Sequence, residues 1–282
     1  MIVLALLWQT ATAAPAERPT VPPLHGGPQE MTCPIGGERF SAWRPSMYST
    51  DGSRPDGKPY SYLSFPFPLP VCPTNKLVAF DTFNAAELTR LPALIGNAEY
   101  KRLVGTDTSY FRAYWLASKL GRPASEALGL LLSAIWEVSP AELSPQQTPE
   151  IHAQFTRYQA LFIKKVRELA ATTSADDRLG LQARAANAAR QLGRFAEAET
   201  LRRQALDTAA GRTDKRGWDV FLAKLGAVIA RKDGAVEPLD MIPDQQVAFA
   251  CAERTPSSAF DRSVCARPDV AAHAAKLRRP DR

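Results

Sequence analysis

Cys33 and Cys72 are the residues of this chain best placed to do chemistry. Each opens a Cys-Pro word, CPIGGERF at Cys33 and CPTNKLVAF at Cys72. In a zinc ribbon such a word carries a second cysteine, because Zn²⁺ takes four soft ligands in a tetrahedron. Here Gly36 and Asn75 stand at those second positions. Neither binds zinc through its side chain, and no histidine stands nearby to replace the missing thiols. What remains is two lone cysteines 39 residues apart, on turns that in a ribbon converge on one metal. The expectation is a Cys33–Cys72 disulfide and no zinc. Cys251 and Cys265 lie 14 residues apart near the C-terminus. Four cysteines allow three pairings, and the local pair has the least separation to close. Closing a loop of about 15 residues contributes roughly 3 kcal/mol in the chain-entropy model. The other reading of all four is buried free thiols, which a cytosolic protein readily carries.

Other catalytic groups are sparse. The histidines are His25, His152 and His273; no two fall at metal-ligand spacing, and no H-E-x-x-H is present. No G-x-S-x-G nucleophile elbow, P-loop or G-x-G-x-x-G occurs, and Gly36–Gly37 reads as a knuckle turn. DGSRPDG offers Asp51 and Asp56, and Asp81 follows, but the oxygen-ligand spacing and distal Glu of a calcium loop are missing. Asp-Gly turn chemistry accounts for these aspartates. Asp176–Asp177 read as helix N-cap residues, and His152 as a partly exposed residue at a helix start. Tyr60, Tyr62, Phe65 and Phe67 read as core filling for a small head, Trp115 and Trp136 as helix core. No catalytic, cofactor-binding or metal-binding residue is therefore expected, and no cofactor.

The elements around these residues divide by composition. MIVLALLW followed by small residues resembles a signal peptide over 1–16, cut after Ala13 or Ala16, although no Lys or Arg opens it. About 8 apolar residues are too few for a membrane span, which needs about 20. Residues 17–30, rich in Pro and Gly, read as a flexible linker. Residues 31–84 read as a ribbon-like head with strands at Arg39–Trp43, Tyr60–Phe65 and Lys76–Phe83. Residues 85–235 read as helical. Helices are expected over Ala85–Ile95, broken at Pro92, then Asn97–Leu103, Thr108–Leu120, Ala124–Val138, Ile151–Thr172, Ala175–Leu192, Arg194–Ala210 and Trp218–Lys232. Residues 236–282 read as a disulfide-stapled segment, turn-rich between Cys251 and Cys265, ending in the basic tail KLRRPDR. The fold class is mainly α, a stapled irregular β head followed by tetratricopeptide-like helical hairpins.

A weak repeat supports the hairpins. LASKLGRPASEALGLLLSA (Leu116 to Ala134) and NAARQLGRFAEAETLRRQA (Asn187 to Ala205) share L-G-R, then E-A, then a helix. Gly121 or Gly193 permits a tight corner, and the small Ala after Glu lets the second helix pack close. The competing reading is two ordinary αα-hairpins in a small bundle. The layout resembles the DUF2225 family of bacterial proteins, which begin with a CPxCG ribbon, repeat C-P-x-C about forty residues later and continue into tetratricopeptide-like helices. Cys33, Pro34 and Gly37 match the first knuckle, and Val71, Cys72 and Pro73 the second. Tyr114, Leu116, Ala117, Ala134 and Trp136 fit the helical part, so the likeness covers about residues 31–206. Two of the family's four cysteines are absent, so zinc does not carry over. The family has no agreed activity.

Apolar residues make up 45% and charged residues 23% of the chain, with a formal charge of +6. The surplus is spread over helices and tail without interleaved aromatics, which argues against a nucleic-acid partner; peripheral contact with an envelope surface is compatible with it. The expected function is that of an exported, periplasmic or secreted interaction module whose helical surface takes a protein or peptide partner. The alternative is an envelope hydrolase with its site at the seam between head and helices.

Overall fold

Where the sequence reads as a linker, the chain has already formed a strand. The computed structural model describes residues 25–140, 148–212, 214, 217–256 and 258–278. The expected signal peptide, residues 17–24 of the expected linker and the last four residues of the tail lie outside the described residues. Strand β1, Gly26–Thr32, pairs antiparallel with β2, Arg39–Pro45, from Gly26 opposite Pro45 to Thr32 opposite Arg39. β1 shows no apolar period because it buries almost nothing; its order comes from the ladder to β2. Gly26 is required at its start. Its φ is +145°, and a Cβ there would stand 2.4 Å from the Trp43 ring and 2.5 Å from the Arg44 carbonyl oxygen.

The hairpin opens onto the first knuckle. The second knuckle follows at Cys72, with a single bridge pairing Val71 to Val78. The other two expected strands do not form. Tyr60–Phe65 is bounded by Pro59 and Pro66 and followed by Pro68 and Pro70, which remove the donors a ladder needs. Over Lys76–Phe83 the backbone is committed to the knuckle instead. Leu77 accepts from Cys72 N at 2.9 Å and donates to the Asn75 side chain at 2.9 Å, and Lys76 takes φ +60°.

Helices then follow in order. α1, Ala85–Gly96, starts in a capping box between Asn84 and Glu87 and runs through Pro92 without breaking. α2 is Ala98–Thr106 and α3 is Ser109–Leu120, the latter capped by the Thr108 hydroxyl and closed by Gly121 in the left-handed region. α4 is Ala124–Val138 and α5 Pro149–Arg167, which stops short of the expected Thr172. α6 is Ala175–Gln191, α7 Phe195–Ala210 and α8 Trp218–Ala230. Ser174, not Asp176 or Asp177, is the cap of α6: its hydroxyl accepts from Asp177 N at 3.1 Å, and the aspartates occupy the first turn.

The C-terminal segment is helical too, including most of the expected turn-rich stretch between its cysteines: α9, Asp244–Glu253, α10, Ala259–Cys265, and α11, Pro268–Leu277. Pro243, Ser258 and Pro268 lie at the starts of these helices, where a missing N–H or a capping hydroxyl is tolerated or favoured.

From α3 to α8 each helix packs on the next, and α4 also reaches α6 and α6 reaches α8. This is the nearest-neighbour stacking of helical pairs, consistent with tetratricopeptide-like hairpins. The two L-G-R corners are the same structure. At Gly121, φ +81°, Arg122 N donates to Ala117 O at 3.0 Å and Gly121 N to Ser118 O at 3.3 Å. At Gly193, φ +72°, Arg194 N donates to Ala189 O at 2.9 Å and Gly193 N to Arg190 O at 2.9 Å. Both are Schellman ends, which need a left-handed residue. Ala127 and Ala198, the small residues of the repeat, are buried. One hydrophobic core runs from the knuckles through the stack, and a second, smaller one lies among α9, α10 and α11. No helix among the described residues is long and apolar enough to cross a membrane.

Candidate functional site

The two knuckles are one motif used twice. Cys33 N donates to Glu38 O at 2.9 Å, and Cys72 N donates to Leu77 O at 2.9 Å. Both loops close over the same span and turn through a left-handed residue at the fifth position, Gly37 in one and Lys76 in the other. Asn75, where a ribbon would have a thiolate, instead donates from Nδ2 to Ile35 O at 2.8 Å and so ties the loops together. Thr74 adds two bonds to Glu38, from its backbone N at 2.9 Å and its hydroxyl at 2.6 Å. These bonds hold the Glu38 carboxyl below the usual carboxylate range. Cys33 and Cys72 are buried and joined as a disulfide with Cα atoms 5.7 Å apart. Cys251 and Cys265 form the second disulfide, between α9 and the end of α10. Sequence reasoning missed Glu38: it belongs to no motif and reaches the sulfurs only once the knuckle has closed.

At the seam between head and helices the loop 51–60 carries a buried ionic cluster. Arg54 pairs with Asp56 and donates to the Ser139 hydroxyl at 2.8 Å. Asp56 also accepts from Lys58 N at 3.0 Å, an Asp-centred turn that ends at Gly57 with φ +88°. Lys58 donates from Nζ to Trp136 O at 3.2 Å, and Trp136 donates from its indole to Asp56 O at 3.2 Å. Tyr60 donates to Glu237 at 3.0 Å, which Arg254 also holds. Burial pushes the Lys58 ammonium down to about 8 and raises the Tyr60 phenol.

The remaining expected residues disperse. His25 meets Tyr62 at 3.1 Å in the head, while His152 and His273 lie exposed on α5 and α11. Asp81 pairs with Arg122. Tyr62 is 57% exposed rather than core, whereas Trp115 is buried and Trp136 half-buried.

A third feature lies on the helical stack. Two adjoining clefts share Tyr114, Ser118 and Lys165 and run between α2, α3 and α5, reaching α4 at one end. Phe111, Tyr114 and Trp115 form the floor. The larger cleft is lined by four cations, Arg102, Lys119, Arg157 and Lys165; Lys119 pairs with Glu99 at 4.0 Å, Lys165 with Glu168 at 2.7 Å, and Arg157 with Asp107. The Lys119 ammonium stands 5.4 Å above the Trp115 ring and the Arg157 guanidinium 5.0 Å from the Phe111 ring. These residues come from three helices, so no local word in the sequence announces them. No protein-family model, curated protein or solved structure matches this chain.

Proposed function

We propose that the chain is a binding protein that takes an acidic, extended segment of a partner protein into the groove between α2, α3 and α5. The supporting observation is four cations over an aromatic floor: Arg102, and Lys119, Arg157 and Lys165, whose ion pairs with Glu99, Asp107 and Glu168 an acidic ligand would share. Guanidinium and ammonium groups attract carboxylates, aromatic faces receive apolar side chains between them, and stacked helical pairs are scaffolds for such extended surfaces. The proposal includes export, to which two disulfides are suited and to which the apolar start of the sequence corresponds. It also includes kinship with the DUF2225 family, for which the two knuckle words are the support.

The test is selection from a displayed peptide library against the native chain and a double variant, Arg102→Glu with Lys119→Glu. Peptides enriched in Asp and Glu are expected. Their affinity should fall at least tenfold in the variant and weaken with salt, as screened charge pairs do. Enrichment without acidic bias, or binding indifferent to the variant, would reject the groove.

One observation favours the second reading, an envelope hydrolase at the head–helix seam. Groups with displaced proton affinities gather at functional sites, and the seam holds Lys58, displaced toward neutrality, near Arg54 and Asp56, with Arg54 in turn bonded to Ser139. A general base works best with a pKa near the working pH. Hydrolysis of ester or amide substrates with a basic limb near pH 8, abolished by Lys58→Met, would establish that reading.

A further inference from the structure

We infer that the paired knuckles form a redox-gated metal site, in which reduction of the Cys33–Cys72 disulfide exposes a two-thiolate, one-carboxylate ligand set for a borderline-soft divalent cation such as zinc. Cys33 Sγ, Cys72 Sγ and a Glu38 carboxylate oxygen all lie within 4.8 Å of one another. The Cys33 sulfur is 3.4 Å from Glu38 Oε1. With zinc–sulfur and zinc–oxygen bonds of about 2.3 and 2.0 Å, a tetrahedral site has a sulfur–oxygen edge of roughly 3.5 Å and a sulfur–sulfur edge of about 3.8 Å. The Cys33–Glu38 edge is already set. The Cys72–Glu38 edge, within 4.8 Å, has at most about 1.3 Å to close, and the sulfur–sulfur edge requires the freed sulfurs to part by less than about 2 Å.

The site does not depend on the disulfide to stay assembled. Asn75 to Ile35, and Thr74 to Glu38 twice, cross from one knuckle to the other. The second knuckle is also docked on the helices, since Lys76 O accepts from Tyr100 at 2.8 Å and from Arg112 at 3.1 Å. Thr74 orients the carboxylate as outer partners of metal ligands do. Both sulfurs are buried while Glu38 is half-exposed, so the fourth position faces solvent through the carboxylate side. Three protein ligands leave that position to water.

The chemistry balances through an external dithiol. Its two thiols reduce the S–S bond, becoming a disulfide themselves, and Cys33 and Cys72 become thiols. Metal binding then releases two thiol protons. Lys76 lies close enough to lower the Glu38 pKa further and so offsets part of the negative charge of two thiolates and a carboxylate. Under oxidising conditions the sulfurs are bonded to each other and the site is closed.

The test uses the full chain carrying Cys251→Ser and Cys265→Ser, so that only the knuckle sulfurs report. After anaerobic reduction and removal of reductant, Co²⁺ is titrated. Thiolate-to-cobalt charge-transfer bands and tetrahedral ligand-field bands should saturate at one equivalent and disappear on adding Zn²⁺. The same protein left oxidised should show none. Glu38→Gln should weaken Co²⁺ at least tenfold and alter the ligand-field bands, with little change in the far-ultraviolet circular dichroism of the reduced chain. Absence of bands in the reduced protein, bands that persist when Cys33→Ser is added, or a Glu38→Gln titration identical to the parent would each overturn the inference. So would loss of knuckle structure on reduction.

Discussion

At the residue scale, arginines are among the groups that hold the head to the helices, and Arg122 makes several such bonds at once. Its side chain, 12% exposed, reaches Glu87 at 2.6 Å, Asp81 at 2.7 Å, Glu126 at 2.8 Å and the Thr82 carbonyl at 2.8 Å, with the Phe80 and Phe83 rings alongside. Removing one partner of a largely buried ionic network strands the others. Arg122→Gln should cost about 2–3 kcal/mol at pH 7, below the fully buried case because Asp81 meets water. Hydrogen bonds from Arg122 depress the folded pKa values of Glu87 and Asp81. Stability from those carboxylates is therefore complete above their unfolded values and lost as pH falls through the depressed folded ones. Urea titrations of wild type and variant should diverge at pH 7 and converge toward pH 3; a constant gap would show that packing, not charge, carries the effect.

Lys58 works in the opposite sense. Burial lowers its folded pKa from 10.5 to about 8, so the folded state carries a penalty at neutral pH that is relieved as pH rises above 8. Lys58→Met should stabilise the chain at pH 7 and abolish the rise in wild-type stability between about pH 8 and pH 10, where the unfolded tyrosines begin to ionise. Equal pH profiles for the two proteins would refute this.

At the element scale, α1 tolerates a residue that should end it. Pro92 cannot donate to Leu88 O, and its ring crowds that carbonyl; it is also exposed, so it buries nothing in compensation. Pro92→Ala should raise stability by about 1–3 kcal/mol, seen as a higher thermal midpoint. An unchanged or lower midpoint would mean that the local bend positions α1 against its neighbours.

Helix ends were legible where a specific residue marks them: Gly121 after α3 and Gly193 between α6 and α7. The end of α8 has the same bonding, with Asp233 N to Val228 O at 3.2 Å and Lys232 N to Ile229 O at 3.0 Å, but its left-handed residue is Lys232, which carries no such signal. β1 was illegible because its partner, not its own pattern, orders it. The short helices α9 to α11 hide for a related reason: each buries only a few residues, too few to show a period. The Cys33–Cys72 and Cys251–Cys265 pairings were readable from spacing. Glu38 and the cationic groove were not, because they exist only after distant segments meet.

At the scale of the whole molecule, the two disulfides guard unequal structures. The small core of α9, α10 and α11 is Leu239, Ile242, Val247, Val264 and Val270 with alanines and the Cys251–Cys265 bridge. The segment that carries it joins the stack through Val236 and Met241, which are buried in the main core, and through polar contacts: Arg190, fully buried, donates to Asp233 O at 2.7 Å and Ala235 O at 2.8 Å, while Glu237 links Tyr60 and Arg254. A core of that size has little stability of its own, and its 14-residue loop gains roughly 3 kcal/mol from closure. The knuckles, by contrast, share the main core, are tied across by Asn75 and Thr74, and are docked on the helices by Tyr100 and Arg112. Full reduction should therefore open the molecule in sequence. Hydrogen exchange should show amides of α9 to α11 losing protection by more than tenfold, while those of Cys33 and Cys72, bonded to Glu38 O and Leu77 O, keep most of theirs. Cys251→Ser with Cys265→Ser should reproduce the first change without the reductant. If reduction instead releases the knuckle amides together with α9 to α11, the two cores are one cooperative unit, and the bonds between the knuckles are too weak to hold their sulfurs in place.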